Sequence, residues 1–230
     1  MSEDIQDAGA PVVSIETVRA RTSHATLNQI EAYWEGLREG RLVPDRQDVD
    51  PRGLTGALSN AFVLERIAPG LGRFRVSGGH LTDLMGMEVR GMPVSAMFEP
   101  TDREGIRDAL EAVFSEPAVA RLQLLTENGL GRPAMEGEMI LLPLKSDLGD
   151  VTRVLGGVVM TGEIGRTPRR FKIAGQTRRT LIGYGAPKST ETPAPVTEDE
   201  PVRTVATKNR AIATRGGFLK LVSSDGERVD

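Results

Sequence analysis

Cysteine is absent from all 230 residues, which excludes disulfide cross-links, thiolate metal sites and a cysteine nucleophile. Histidine is nearly as scarce: His24 and His80 are the only two, leaving little for proton transfer near neutral pH. Aromatic residues make up 4% of the chain, so a core has to be filled by aliphatic side chains and methionine, whose flexible thioether adapts to irregular space. No apolar run approaches the ~20 residues that a membrane-spanning helix needs. The acidic start MSEDIQDAG lacks the basic-then-apolar order of a secretory signal, so a cytoplasmic location is expected.

Catalytic signatures are missing as well. No serine sits in a nucleophile-elbow context, no Walker-type phosphate loop occurs, and no Gly-x-Gly-x-x-Gly follows a strand. Neither the ATP-binding boxes of a histidine kinase nor a diguanylate cyclase signature is found, and enzymatic activity is not expected.

What remains is enough for one domain of about 100–150 residues with extensions, with 39% hydrophobic residues to build its core. The net charge of −3 gives no global attraction to nucleic acid. The stretch RFRVSGGHLTDLMGMEVRGMPVSAM, from Arg73 to Met97, has an uncommon order. Phe74 and Val76 alternate with Arg73, Arg75 and Ser77 at the period of a strand, and Gly78-Gly79 ends it. A short helix over His80–Met85 stops at Gly86, and another short turn follows Gly91.

This order of strand, glycine, short helix, glycine, acidic residue, glycine and short helix resembles the centre of a PAS domain. The resemblance extends upstream. Leu27, Ile30, Trp34 and Leu37 fall at helical spacing between His24 and Glu39, and Gly40 is a stop. Tyr33, Trp34, Leu37, Arg38, Gly40, Arg41, Pro44, Arg46, Asp48, Asp50 and Pro51 together resemble the opening of a stand-alone PAS family common in alphaproteobacteria. The likeness runs from about residue 24 to 164 and implies a bacterial sensory protein.

Downstream, Thr101-Asp-Arg-Glu104 predicts a capping box that starts a helix with Ile106, Leu110 and Val113 on one face. Strands are predicted at 61–67, 73–78, 118–126, 134–145 and 151–162. The expected fold class is therefore α+β: a PAS fold with a five-stranded antiparallel sheet, short helices inserted after the second strand, and a preceding amphipathic helix. Residues 1–23 are expected to be mobile, 24–164 to form the domain, 165–185 a basic extension, and 186–230 a disordered linker and tail.

In the fold implied by the resemblance, the broken helices wall a small cavity over the sheet. Leu84, Met85, Met87, Met97, Met139, Leu141 and Met160 are the expected lining, either enclosing a ligand or filling the space themselves. Arg75 is a candidate anchor for an acidic ligand, although strand alternation favours an outward side chain. His80 is the one candidate haem ligand, set against the more common role of a histidine at a helix start. The absence of cysteine excludes cysteinyl-flavin photochemistry, and the cofactor is left unidentified.

Leu27, Ile30, Trp34 and Leu37 either pack on their own domain, the favoured reading, or form a homodimer seam. Arg41, Arg46, Asp48 and Asp50 either pair among themselves, again favoured, or hold an anion. The run 166–181 holds Arg166, Arg169, Arg170, Lys172, Arg178 and Arg179 with no acid. Arg166-x-x-x-Arg170 matches the first half of a cyclic di-GMP motif whose second half is absent, and a strip of this kind is more often solvated or docked on an acidic partner.

The functional expectation is a PAS-type sensory or regulatory module that binds a small molecule or a signalling protein and acts through protein contact. The alternatives are a ligand-free dimerising adaptor, or a nucleotide or nucleic acid binder acting through the basic run.

Overall fold

A computed structural model describes residues 15–182, with side chains from His24 onward. Helix α1 (Ile15–Arg38) starts earlier than the predicted His24 and leads into two short 3-10 turns, Arg46–Asp48 and Pro51–Leu54. The second turn is capped by Asp50, whose carboxylate accepts from the Arg52 amide at 2.9 Å, with Pro51 at its first position. Strands β1 (Ala61–Ala68) and β2 (Leu71–Ser77) follow as a hairpin, then α2 (Gly79–Met85), further 3-10 turns, and α3 (Arg103–Ser115). The chain closes with β3 (Ala118–Thr126), β4 (Met135–Lys145), β5 (Val151–Thr161) and β6 (Lys172–Thr180). They form one antiparallel sheet in the order β2-β1-β5-β4-β3-β6.

The sheet carries a core on each face. On the inner face, Leu81, Leu84, Met85, Ile106, Leu110 and Val113 of α2 and α3 pack against Leu64, Leu122, Met139, Leu141, Val154 and Val158. On the outer face, Leu27, Ile30 and Trp34 of α1 pack against Ile140, Leu142, Leu144 and Leu155. This double coverage explains why Met139–Leu144 is one unbroken apolar run, since every residue of that stretch is buried. Each such side chain contributes about 1.5–3 kcal/mol relative to exposure. Gly156 and Gly157 of β5 permit the close approach on both sides. A Cβ at Gly156 would lie 2.2 Å from the Phe62 ring, and one at Gly157 would lie 2.5 Å from Ile30 Cδ1.

Three sequence expectations need correction. The sheet has six strands, not five, and the sixth comes from the basic run: β6 pairs with β3 from Ala118↔Thr180 to Leu125↔Lys172. The domain therefore continues past 164, and Phe171 inserts edge-on against Phe98 in the inner core. The capping box at Thr101–Glu104 does not form. Asp102 instead accepts from the Ile173 amide at 2.8 Å, because the start of β6 brings an otherwise unpaired donor to that carboxylate. Of the start expected to be mobile over 1–23, residues 15–23 are instead part of α1, while residues 1–14 and the expected tail at 186–230 lie outside the described residues.

Candidate functional site

Six of the eight expected cavity residues converge. Leu84, Met85, Met97, Met139, Leu141 and Met160 are all buried in the inner cluster, together with Phe62, Phe74, Phe98 and Phe171. The other two do not. Met87 is 50% exposed beyond the end of α2, because Gly86 turns the chain through a left-handed conformation before it. Arg75 points outward and pairs with Glu65, as strand alternation requires.

His80 has a backbone-binding role that its type alone did not disclose. Strand β5 extends past the start of β1, so its last amides need other partners. Val158 donates to the Asn60 carbonyl at 3.0 Å, and Met160 donates to His80 Nε2 at 3.1 Å. That nitrogen, which a haem would need, is engaged. Burial pushes the imidazole below its ordinary pKa, with the Asp83 charge opposing, so the ring is held neutral as an acceptor.

Leu27, Ile30 and Trp34 are enclosed between α1 and the sheet, with Leu37 half-buried beside them. Leu27, Ile30 and Trp34 belong to the intramolecular core and are not open to a second copy, whereas Leu37 lies outside that cluster. Arg41 bridges Asp45 at 2.6 Å and Asp48 at 2.7 Å, fixing the connection between α1 and β1. Arg46, by contrast, has no side-chain hydrogen bond or ion pair among the described residues.

The basic run is dispersed. Arg169 is 1% exposed and donates to the carbonyls of Ile164 and Pro133 and to the Thr126 hydroxyl, joining the 127–133 turn to the segment before β6. Arg170 donates to the Ala96 carbonyl at 2.8 Å, and Arg179 pairs with Glu31 of α1 at 2.7 Å. Arg166 and Arg178 are exposed. The five arginines do not share one anion site: Arg169 and Arg170 are engaged with carbonyls, Arg179 with the Glu31 carboxylate, and Arg166 and Arg178 stand exposed.

An open apolar groove lies on the outer face. A groove of about 580 Å³ runs between the 3-10 turns after α1 and the β1–β2 hairpin, lined by residues that include Arg46, Leu54, Leu58, Val63, Val76 and Leu155. Val63 and Leu155 form its buried floor, whereas Leu58 is 45% and Val76 53% exposed. One rung further along the same face, Glu65 is met by Arg73 and Arg153, each at 2.9 Å, and by Arg75. The Arg73 hydrogen bond, with the Arg153 and Arg75 charges, outweighs burial and lowers the Glu65 pKa. Sequence patterning missed this groove, since Leu58 lies in a turn and Val76 beside a bulge; an exposed apolar pair at such positions was the available signal.

A family model described as PAS domain matches residues 22–159. No match is found among curated proteins. Among solved structures, the chain is similar to an RNA-binding light-oxygen-voltage receptor, with 22% identity and a TM-score of 0.35, over 47% of this chain and 32% of that one. It is also similar to the light-state Aureochrome1 LOV domain, a blue-light photoreceptor, at 13% identity and TM-score 0.34 over 49% of this chain and 88% of that one. The PAS domain of BvgS from Bordetella pertussis matches at 14% identity and TM-score 0.34, over 47% of this chain and 80% of that one.

Proposed function

The chain belongs to the PAS domain family, and from that premise we propose that it is a sensory or regulatory module, without enzymatic activity, that signals by contact with another protein at the outer groove. The observation that carries this reading is the contrast between the two faces. The methionine, leucine and phenylalanine side chains of the inner cluster are buried, while Leu58 and Val76 stand exposed above an apolar floor. Exposed apolar walls beside buried apolar residues favour an occupant that removes them from water. Transmission follows as a shift between arrangements of the groove, by no more than the partner's differential affinity for them.

The test compares proteins recovered with the wild-type chain and with a Leu58→Asp/Val76→Asp variant whose fold is checked by circular dichroism. A specific partner that binds the purified wild-type chain and loses at least ~10-fold in affinity for the variant supports the reading. A partner that binds both equally refutes it. No helix among the described residues is long and apolar enough to cross a membrane, so the assay is run without detergent.

A further inference from the structure

We propose that the outer groove receives an acidic amphipathic helix of another protein, with its apolar side chains against Leu58, Val63 and Val76 and its carboxylates on Arg46 and Arg75. This rests on the groove being a contact surface and adds the chemistry of what fills it.

Charge is the first argument. Three guanidinium groups, from Arg73, Arg75 and Arg153, meet a single carboxylate, Glu65, leaving a local excess of positive charge on the rung next to Val63 and Val76. Arg46, among the groove's lining residues, adds a further cation with no partner among the described residues. An apolar floor bordered by uncompensated guanidinium groups complements leucine-like side chains flanked by carboxylates, which guanidinium binds in a forked geometry.

Strand geometry decides between a strand and a helix as the occupant. The free edge of β2 is already used in part, since Phe74 donates to the Met92 carbonyl at 3.0 Å and accepts from the Gly91 amide at 2.8 Å. A register shift at Arg75, where Val63 pairs with Val76 and Leu64 with Phe74, breaks the ladder beyond that point. An added strand therefore lacks a continuous template, and the approach left open is over the face, as a helix seated in the groove. A second copy of this chain is disfavoured, because a two-fold contact through this patch sets the arginine cluster against itself.

The experiment titrates the full chain, labelled at its Ile, Leu and Val methyl groups, with two synthetic helical peptides that share one leucine face. One is flanked by glutamates and the other by lysines. The expected result is that the glutamate peptide moves the Leu58, Val63 and Val76 resonances, binds at least ~10-fold more tightly than the lysine peptide, and weakens as salt is raised. Arg46→Glu and Arg75→Glu, each checked for folding by the same spectra, then weaken the glutamate peptide and strengthen the lysine peptide. Equal binding of both peptides, binding of neither, or shifts confined to another face overturns the inference. So does a groove that takes dodecanoate but no peptide, or a dimer of this chain that Leu58→Asp dissolves. If Leu58→Asp releases the native partner while both charge reversals retain it, the groove reading stands and the acidic chemistry is wrong. If Leu58→Asp also retains it, both fail.

Discussion

Trp34 Nε1 donates to the carbonyl of Pro143 at 2.8 Å, across 109 residues of chain. The pairing of β3 with β4 ends at Ala120↔Leu141, so Pro143 lies past its last β3 partner, where a strand residue without an N–H is tolerated. The indole fills the place of the missing strand with one hydrogen bond and a large apolar surface. It thereby fixes α1 on the outer face and leaves the neighbouring β1–β2 surface open as the groove.

Trp34→Ala is accordingly expected to cost about 3–5 kcal/mol, the range for truncating a large buried aromatic side chain. Urea unfolding followed by circular dichroism measures this, since the mutation removes the only tryptophan and with it the fluorescence probe. A loss well below 1 kcal/mol shows that α1 is not anchored here.

Gly157 faces Ile30 Cδ1 at 2.5 Å and Leu27 Cδ2 at 2.9 Å, measured from where a Cβ would stand. Gly157→Ala overpacks that contact and is expected to destabilise by about 1–3 kcal/mol. Ile30→Val in the Gly157→Ala background removes the clashing methyl and recovers part of the loss. Strictly additive effects of the two substitutions rule out the contact.

His80 makes stability depend on pH. Its folded-state pKa lies below the ordinary histidine value because of burial, so the unfolded chain binds the proton more readily. Its contribution is present above pH ~6.5, the unfolded value, and is lost as pH falls from there toward the folded pKa. Denaturation midpoints measured at successive pH values are expected to drop over this window in wild type. The drop is smaller in His80→Gln and retained in a His24→Gln control.

Arg169 is a buried cation whose described partners are carbonyls and a hydroxyl. Arg169→Met leaves these acceptors unpaired, at about 1–3 kcal/mol for each one that water does not reach. Hydrogen exchange read by mass spectrometry is expected to quicken in residues 127–133 and 164–171 and to stay unchanged in α3. Uniform exchange across the chain contradicts the clamp.

The buried inner cluster carries a prediction of its own. Native mass spectrometry of freshly purified protein is expected to give the mass of the bare chain. An added mass that disappears on denaturation identifies a retained small molecule and returns the function to the inner cavity.

Local patterning made most of the framework legible. The glycine stops at Gly78 and Gly86 and the helical spacing of Leu27, Ile30 and Trp34 are short-range signals, and each element formed near where its residues placed it; the Phe74–Val76 alternation located β2, but the register shift at Arg75 buries Phe74 on the inner face and leaves Val76 exposed on the outer one. Strand β6 was hidden because KIAGQTRRT is a charged edge strand with little apolar alternation; its pairing comes from β3, about fifty residues upstream. Arg169 escapes a sequence reading because its type gives no sign that carbonyls from two separate segments converge on it.

The sequence by itself determined the kind of module: a chain without cysteine, with broken helices after its second strand and enough aliphatic residues for a two-sided core. Only the tertiary structure decided which apolar residues are buried and which stand exposed beside the outer groove. Buried fillers and pocket linings have the same composition, so methionines and leucines cannot declare which they are. Which side chains are buried depends on how segments distant in sequence come together, as those carrying Phe62, Phe74, Phe98 and Phe171 do in the inner cluster. The groove depends likewise on where α1 stops covering the sheet, a boundary set by packing between elements and not by any one of them.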